Sequence, residues 1–441
     1  MEQRRKNLTQ LFIPICLETL LYMLSGMVDT LMLSSVNDQA VGAVGTANTY
    51  IGIFIIMFSV ISSGMVAVMT QNIGAGRPGV AYQARQLGLA FNAVLGVIMS
   101  LFLSLGAGTI LSGVGVADAL MQPAKTYLQI VGGFCILNAL IPICSSYLRA
   151  FGFSKEPLYA SIIGNVINFC LNAFFLFVLH KGVAGVATAT VISRIINLVI
   201  VVLLGAVLVK AKQHPERESN RAVVGQIIRI GLPSACETAI YNVSMTLVIR
   251  FLNQMDAQGL NVTARSYTMQ ITNFSYCVGA ALAQANAIMT GWHIGAKEYD
   301  ACDRGTKKAA VIGVIVAVIL ETVFTLCSGW IMQLFSKDPQ MVSLVGKLLA
   351  IDIVLEIGRV TNLVYGQALK TSGDAVFPVV MGACFMILCS VGGTYLFGIR
   401  LGLLAVGAYI GMTGDECVRA VGMYLRWKSG KWKEKGLVKS R

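Results

Sequence analysis

The chain has 441 residues, of which 56% are hydrophobic and only 12% are charged, and its mean hydropathy is +0.72. Soluble proteins average about 25% charged residues, so this composition excludes a cytosolic enzyme, a disordered chain and a secreted disulfide scaffold. The composition instead predicts an integral membrane protein built of many helices.

Apolar runs of about 20 residues or more, the length that spans a bilayer as a helix, recur along the chain between short polar stretches. We predict twelve membrane spans, at roughly 10–33, 41–71, 84–110, 120–149, 157–179, 184–209, 226–253, 261–292, 306–334, 340–369, 375–397 and 402–426. The first run contains polar residues and lacks a small-residue cleavage site, so we interpret it as a retained span and not as a signal peptide. The predicted fold class is an all-α integral membrane protein with twelve transmembrane helices.

Lysine and arginine are distributed unevenly between the loops. Twenty-four lie in the N-terminus, the C-terminal tail and the loops after even-numbered spans, whereas the opposite loops contain only Lys125, Lys181, Lys337 and Arg400. Because cytoplasmic loops are enriched in basic residues, we predict that both termini are cytoplasmic. Most of the lysine and arginine residues behind the net charge of +13 therefore lie on one side of the membrane in this prediction. Since no basic stretch is interleaved with aromatic residues, we expect the lipid bilayer as a partner and no nucleic acid.

The two halves of the chain repeat each other. The segment P-I-C-L-E-T-L-L-Y from Pro14 matches P-S-A-C-E-T-A-I-Y from Pro233, and the loop segment that begins at Arg149 matches the one that begins at Lys370. The offset stays between 219 and 221 residues and each half has six spans, so the halves are parallel repeats that suggest alternating access. We predict a six-helix lobe at 1–209, a cytoplasmic linker at 210–225, a second six-helix lobe at 226–427 and a basic cytoplasmic tail at 428–441.

The first half places polar residues at membrane depth. Asp29 lies on the same face of span 1 as Glu18, and that span has no basic residue to neutralise it. Asn168 and Asn172 share a face of span 5, and Thr190 follows in span 6. Ionisable groups at this depth are costly and mark ion or proton pathways, so we predict that Asp29 handles an ion or a proton. The asparagines have the alternative role of hydrogen-bonding helices together.

Pro14 lies about four turns before Asp29 in the same span. A proline removes one backbone hydrogen bond from a helix and permits bending. We hypothesise that Pro14 is a hinge, and that ion binding at Asp29 bends or straightens span 1.

The second half carries a different polar set. Span 7 repeats part of the span 1 stripe with Glu237 and Tyr241. Span 10 has Asp352, Glu356 and Arg359 at i, i+4 and i+7, and at the equivalent positions of this second set the first half has no acidic residue. We predict that these five residues bind substrate. Two structural alternatives remain: an internal ion pair within the span 10 set, and an ion pair of the span 7 carboxylate with a basic loop residue.

The sequence offers no enzymatic motif. The three histidines, His180, His214 and His293, lie in loops or at helix ends, and there is no HExxH, G-x-S-x-G or Walker A sequence. The eleven cysteines include no CxxC pair. We therefore expect no enzyme and no cofactor, and since there is no ATP motif, any transport must draw on an ion gradient.

Several segments resemble the multidrug and toxic compound extrusion (MATE) family of transporters. These are G-M-V-D-T-L-M-L (Gly26 to Leu33), T-Q-N-I-G-A-G (Thr70 to Gly76), P-L-Y-A-S-I-I-G-N-V-I-N-F-C-L-N (Pro157 to Asn172) and G-V-A-G-V-A-T-A-T (Gly182 to Thr190). The resemblance covers nearly the whole chain. It implies a V-shaped pair of six-helix lobes and export of amphipathic, often cationic compounds in exchange for a cation.

The resemblance also implies a cation-coupling site at Asp29, Asn168, Asn172 and Thr190. If Na⁺ is the coupling ion, Asp29, Asn168 and Asn172 are its expected ligands. Many relatives have aspartate where this chain has Asn172, which leaves a single carboxylate and leaves the choice between Na⁺ and H⁺ open. Glu237 matches the region of the family's acidic residue in the seventh helix.

Three functions compete. The leading one is a Na⁺- or H⁺-coupled antiporter for multidrug efflux, acting as a monomer in the bacterial cytoplasmic membrane. The alternative is a flippase for a lipid-linked precursor with the same two-lobe architecture, which would need a strongly cationic cavity for phosphate, whereas the deep charges here are mainly acidic. A sensor or scaffold without transport is the third, but the sequence has no soluble domain through which to signal.

Overall fold

The computed structural model describes residues 6–35, 38–113, 116–256, 258–333 and 335–438. Across these residues the chain forms helices joined by short loops, and they contain no strand. The predicted all-α class is therefore confirmed. The terminal basic residues Arg4, Arg5, Lys439 and Arg441, which support the predicted topology, lie outside the described residues.

Six long helices build most of the first compact unit, Met1–Gly231. They are α1 (Leu8–Ser34), α2 (Asp38–Gly74), α3 (Pro78–Leu105), α4 (Asp118–Gly132 continued by Ile136–Ala150), α5 (Lys155–Val178) and α6 (Gly182–Leu208). A short helix, Ala107–Gly113, connects α3 to α4. Apolar side chains such as Leu103, Leu111 and Leu128 form a buried core between these helices.

Six further long helices lead into and build the second compact unit, Leu232–Arg441. They are α7 (Asn220–Met255), α8 (Leu260–Gly295), α9 (Tyr299–Leu326), α10 (Pro339–Ser372), α11 (Val376–Arg400) and α12 (Leu404–Lys428). A short helix, Ser328–Met332, connects α9 to α10. The residues of α7 before Leu232 belong to the first unit.

Six of the twelve long helices, α1, α3, α5, α6, α9 and α11, are long and apolar enough to cross a membrane, and two bent helices, α2 and α4, bring the number to eight. The other four, α7, α8, α10 and α12, carry many polar or charged residues and fail this test of composition. Charged residues are accepted within membrane helices where they face the interior of a bundle. Twelve helices in two lobes match the fold class predicted from the sequence.

The repeat seen in the sequence extends to the helix ends. Helices α3 and α9 start and stop at residues that are 221 positions apart, from Pro78–Leu105 to Tyr299–Leu326. The short connecting helices also start 221 positions apart, and α5 and α11 both end in a wider, π-helical segment. Both units therefore have the same arrangement of helices. Where equivalent positions carry different residues, the difference is not explained by the arrangement of helices.

Residues between α6 and α7 are fastened to the first unit. Gln83 of α3 donates to the carbonyl oxygen of Glu218 at 2.7 Å and accepts from its backbone N–H at 3.0 Å. Arg77 forms an ion pair with the Glu218 carboxylate at 2.7 Å. The second half of the predicted linker at 210–225 is thus held against the α2–α3 loop and the start of α3.

The C-terminal segment folds against the second unit. Trp432 is buried and stacks on Trp427 with ring centroids 4.1 Å apart. The indole N–H of Trp427 donates to Asp303 of α9, and that of Trp432 donates to the Trp427 carbonyl oxygen, both at 2.9 Å. The part of the predicted basic tail that the structure describes, up to residue 438, is therefore an ordered cap on this unit.

Helices α11 and α12 cross with their backbones in contact. A Cβ atom on Gly407 of α12 would lie 2.4 Å from the carbonyl carbon of Phe397, whereas a Cβ atom on Gly414 of the same helix would meet nothing within 4 Å. Small residues allow such close approach of membrane helices. We expect Gly407→Val to destabilise the protein by about 1–3 kcal/mol or more, and Gly414→Val to have little effect. Thermal unfolding of the two purified variants tests this, and equal melting temperatures would contradict the crossing.

Candidate functional site

The first unit brings three of the predicted site residues together. Asn172 of α5 donates its side-chain N–H to the Asp29 carboxylate of α1 at 2.6 Å, and to the Asn168 side-chain oxygen at 3.2 Å. Asn168 and Asn172 are buried and Asp29 is half-buried. The carbonyl oxygen of the Asn172 side chain is buried without a hydrogen-bond partner among the described residues. The cluster therefore joins one carboxylate to two amides at the α1–α5 contact.

Thr190 lies on the neighbouring helix α6 but takes no part in this hydrogen bonding. Its hydroxyl donates to the carbonyl oxygen of Val186, one turn earlier, at 2.9 Å. One turn later on α6, Arg194 acts electrostatically on Asp29 without an ion pair to it in the described structure. Arg194 was not predicted as a residue of this site, because it lies on α6 and no pattern along a single helix connects it with Asp29 of α1.

Pro14 lies inside α1, which continues through it from Leu8–Ser34. A proline at this position cannot donate to the carbonyl oxygen of Gln10, four residues earlier. The hydroxyl of Ser154, a fully buried residue in the α4–α5 loop, donates to that oxygen instead at 3.0 Å. The Gln10 carbonyl oxygen is thus satisfied from outside the helix. Bending of α1 at Pro14 would move this oxygen relative to the Ser154 hydroxyl that bonds to it.

Each unit pairs its first helix with the end of its fourth through an ion pair. Glu18 of α1 binds Arg149 at the end of α4, and Glu237 of α7 binds Lys370 at the end of α10, each at 2.6 Å. The two pairs occupy repeated sequence positions. The structural alternative for Glu237, an ion pair with a basic residue, is therefore the one that the geometry favours, and Glu18 has the same arrangement in the first unit.

This pairing predicts the outcome of a charge exchange in the second unit. We expect Lys370→Glu to destabilise the protein by about 3 kcal/mol, because it places two carboxylates together in a largely buried position. The double variant Glu237→Lys with Lys370→Glu should recover most of that loss. Thermal unfolding measures both. A neutral single variant would mean that Glu237 does not depend on Lys370 and remains available to substrate.

The predicted residues of α10 also meet, but inside the bundle. Asp352 and Glu356 are 2% and 0% exposed, and Arg359 bonds to Glu356 and lies 3.6 Å from Glu416 of α12. Gly358 allows this approach, because a Cβ atom there would lie 2.8 Å from the backbone nitrogen of residue 417. The internal ion pair considered from the sequence is present. Substrate binding by these residues stays a prediction.

Helix α12 contributes charges that sequence reasoning missed. Arg419 binds Asp415 at 2.8 Å and Glu416 at 3.0 Å, and Glu416 also accepts from Asn362 of α10 at 3.0 Å. All of these side chains are buried. Their spacing along one helix, with acids three and four residues before a base, was a signal available in the sequence.

Glu321 of α9 is the other residue that sequence reasoning missed. It is 0% exposed, and one of its oxygens lies within 4.8 Å of carboxylate oxygens of both Asp352 and Glu356. A lone carboxylate in an apolar run was the same signal that identified Asp29. Tyr241, by contrast, lies on α7 with 37% of its surface exposed and acts electrostatically on Arg359, so it stands at the edge of this charged region.

Fold and sites define a polytopic helical membrane protein with two repeated lobes and buried ionisable clusters. The MatE family model matches the chain twice, at residues 14–174 and 233–396. One match falls in each repeat and together they cover more than half of the chain. The chain belongs to the MatE family.

Individual relatives agree with this assignment. The uncharacterized transporter YisQ of Bacillus subtilis is 34% identical over 431 residues, with 96% of this chain and 94% of that protein covered. The probable multidrug resistance protein NorM of Thermotoga maritima is 23% identical over 450 residues, with 98% and 94% covered. A crystal structure of MATE in the straight conformation has a TM-score of 0.85 at 20% identity, covering 97% of this chain and 96% of that one, and shows the shared fold.

Proposed function

We propose that this protein exports amphipathic, often cationic compounds in exchange for Na⁺ or H⁺, and that the ion binds at Asp29. The observation that carries the proposal is the hydrogen bond that the buried Asn172 amide donates to the Asp29 carboxylate, while the same amide also donates to the Asn168 side-chain oxygen. A carboxylate at membrane depth with neutral oxygen and nitrogen neighbours binds a cation reversibly, because the ion replaces contacts that are already polar.

The Asn172 amide can serve both states of such a site. In the structure its N–H group faces Asp29 while its carbonyl oxygen has no hydrogen-bond partner among the described residues. Rotating the Asn172 amide by about 180° exchanges its NH₂ group and its oxygen. The oxygen then points toward the Asp29 carboxylate and the Asn168 oxygen. Three oxygens then surround one point, an arrangement suited to Na⁺, whereas H⁺ binding neutralises Asp29 without that rotation.

One carboxylate suits one monovalent ion. With Asn172 in place of a second aspartate, a bound Na⁺ or H⁺ balances the single charge of Asp29. Arg194, whose charge acts on Asp29 from α6, offers partial compensation while the ion is absent. Ion binding and release at Asp29 then change the force between α1 and its neighbours α5 and α6, and Pro14 gives α1 a place to bend.

The proposed cargo class rests on the relatives' names and on the charge of the lobes. Several relatives are described as probable multidrug resistance proteins. The buried charged cluster of the second unit contains more carboxylates than guanidinium groups, which opposes an anionic cargo such as a lipid phosphate.

Ethidium accumulation in a bacterial strain that lacks its major exporters tests the proposal. Cells that make the protein should retain less ethidium than cells with the empty vector. Removing the Na⁺ or proton gradient should abolish the difference. If ethidium and other cations are not exported while the protein rescues a strain deficient in a lipid-linked precursor flippase, the flippase alternative replaces the proposal.

A further inference from the structure

We propose that the end of the second unit at which α9 begins and α12 ends binds the headgroup of an anionic phospholipid. The two helix ends and the C-terminal segment meet there, because the indole N–H of Trp427 donates to Asp303 at 2.9 Å and Trp427 stacks on Trp432. These three segments carry five exposed basic residues, which we call the basic patch. They are Arg304 and Lys308 of α9, Lys428 of α12, and Lys431 and Lys433 of the C-terminal segment.

The outer face of α9 changes from basic to apolar along one line of residues. After Arg304 and Lys308, exposed residues recur every three or four positions, which is the spacing of a single helix face. All of them are apolar: Val311, Ile315, Ile319, Val323 and Leu326 are 59%, 53%, 57%, 49% and 79% exposed. This apolar face is about 22 Å long and is suited to lipid acyl chains. Arg304 lies about 10 Å beyond its end, at the depth of the headgroups.

Helix α12 shows the same change on its outer face. Its exposed apolar residues Val418, Val421 and Leu425 lead at intervals of three or four positions to Lys428, the last residue of the helix. A lysine next to an apolar surface lays its stem along that surface and keeps its ammonium group in the polar region. Both helices therefore place cationic groups at the border of a lipid-facing surface, where anionic headgroups attract them.

The C-terminal segment is fixed in a position that leaves its lysines outside. Trp432 is buried, whereas Lys431 and Lys433 on either side of it are exposed. The segment packs closely on the end of α10, since a Cβ atom on Gly373 would lie 2.3 Å from the carbonyl oxygen of Lys435. Binding of a headgroup by these lysines therefore does not require the backbone of the segment to become ordered, which removes one cost of association.

The protein does not neutralise the basic patch. Among the described residues, none of its five side chains has a carboxylate within 4.0 Å. The adjacent acid Asp303 is already paired with Lys307 at 2.7 Å, and the exposed acids Asp300 and Glu434 are too few to balance the patch. An excess of surface cations attracts anions. An anionic phospholipid supplies the charge and also covers the apolar faces of α9 and α12, which a soluble phosphate leaves bare.

The repeated arrangement of helices does not account for the basic patch. At the 221-residue offset, Arg304 corresponds to Gln83 of α3 and Lys308 corresponds to Leu87. Gln83 is buried and bonds to the backbone of Glu218, so the linker covers this position in the first unit. The same helix thus carries neutral residues in one unit and exposed cations in the other, which separates the patch from the structural requirements of the repeat.

Native mass spectrometry of the purified full-length protein in detergent tests this site by titration with dioleoylphosphatidylglycerol and, separately, with dioleoylphosphatidylcholine. We expect phosphatidylglycerol to bind more tightly. The patch variant, with Lys308→Gln, Lys428→Gln and Lys431→Gln, should bind its tightest phosphatidylglycerol about tenfold or more weakly, because each basic residue near an anionic lipid surface strengthens the attraction.

A control variant neutralises three exposed lysines elsewhere, with Lys155→Gln, Lys181→Gln and Lys337→Gln. It should keep the wild-type affinity for phosphatidylglycerol. The residues changed in both variants are exposed and have no ion pair among the described residues, so both should melt at the wild-type temperature in detergent without added lipid.

The inference is overturned if phosphatidylcholine binds as tightly as phosphatidylglycerol, or if the patch variant keeps its affinity or loses no more than the control variant. Binding of glycerol 3-phosphate as tight as that of phosphatidylglycerol would assign the patch to free phosphates. Tighter, patch-dependent binding of poly-glutamate would assign it to an acidic protein, and either result would also exclude the lipid. Asp29→Asn leaves the patch intact and should bind phosphatidylglycerol normally, whether or not ethidium is transported.

Discussion

The Asp29→Asn variant should insert into the membrane normally but lose gradient-driven export of ethidium. Asparagine has nearly the same shape as protonated aspartate, so the contact with Asn172 can persist while the charge that binds the coupling ion is gone. Removing an obligatory charge from an ion-coupled step should reduce the gradient-driven rate by at least about a hundredfold, equivalent to about 2.7 kcal/mol. Initial rates of ethidium efflux after energisation of preloaded cells measure this.

A matched control separates loss of coupling from general damage. Thr190→Val replaces a residue of the neighbouring helix α6 by one of similar size, and among the described residues the Thr190 hydroxyl bonds only to the carbonyl oxygen of Val186. It should retain a substantial part of the efflux rate, although the family resemblance assigned it to the cation site. Export by Asp29→Asn at the wild-type rate, with the same dependence on Na⁺ and pH, would show that Asp29 is not the coupling residue.

The Arg419→Met variant should fail to accumulate as folded protein. Arg419 is buried and compensates both Asp415 and Glu416, so its removal leaves two carboxylates without their partner. Breaking a buried ion pair by deleting one member typically destabilises a protein by about 3–5 kcal/mol, which is a large part of an ordinary folding free energy. Fluorescence-detected size-exclusion chromatography of a fusion protein reports the folded amount.

Two further variants test the electrostatic explanation. Lys428→Met removes a positive charge from an exposed position of the same helix and should have little effect. Asp415→Asn in the Arg419→Met background removes one of the two unpaired charges and should restore part of the folded amount. Wild-type accumulation of Arg419→Met would contradict the role assigned to the ion-pair network.

The sequence predicted the helical class, the number of long helices and the repeat because these depend on patterns that run along the chain. Membrane length fixes the size of each apolar run, and an offset kept over many residues reveals duplicated helices, as the equal bounds of Pro78–Leu105 and Tyr299–Leu326 show. Helices α8 and α10 were found from length although their composition is more polar than that of an isolated span.

Partners between helices were harder to predict. The sequence placed Asp29 and Asn172 on faces of their own spans, but which atoms meet depends on how α1 and α5 are rotated and packed. The replacement of the missing Pro14 hydrogen bond by Ser154, more than a hundred residues away, had no local signal. Glu237 illustrates the same limit, since a carboxylate on a polar stripe looks available until Lys370 is seen beside it.

Glu321 had a local signal that was overlooked. A single acid within the apolar run of α9, where the first unit has Ser100, satisfies the same criterion that identified Asp29. The sequence could not show which residues surround Glu321, because only the packing of α9 on α10 brings it close to Asp352 and Glu356. Comparing repeated halves position by position would have raised it as a candidate, and the structure supplies the contact.

Transport by the purified protein in sealed liposomes tests the central claim most directly. Ethidium is present at equal concentration inside and outside the liposomes. A gradient of Na⁺ or H⁺, directed outward or inward, is then imposed. We predict net ethidium movement against the direction of ion flow by the wild-type protein, which stops when the gradient is dissipated and is absent in Asp29→Asn. Ethidium movement at the same rate with no ion gradient, or equal movement by Asp29→Asn, would contradict cation-coupled export through Asp29.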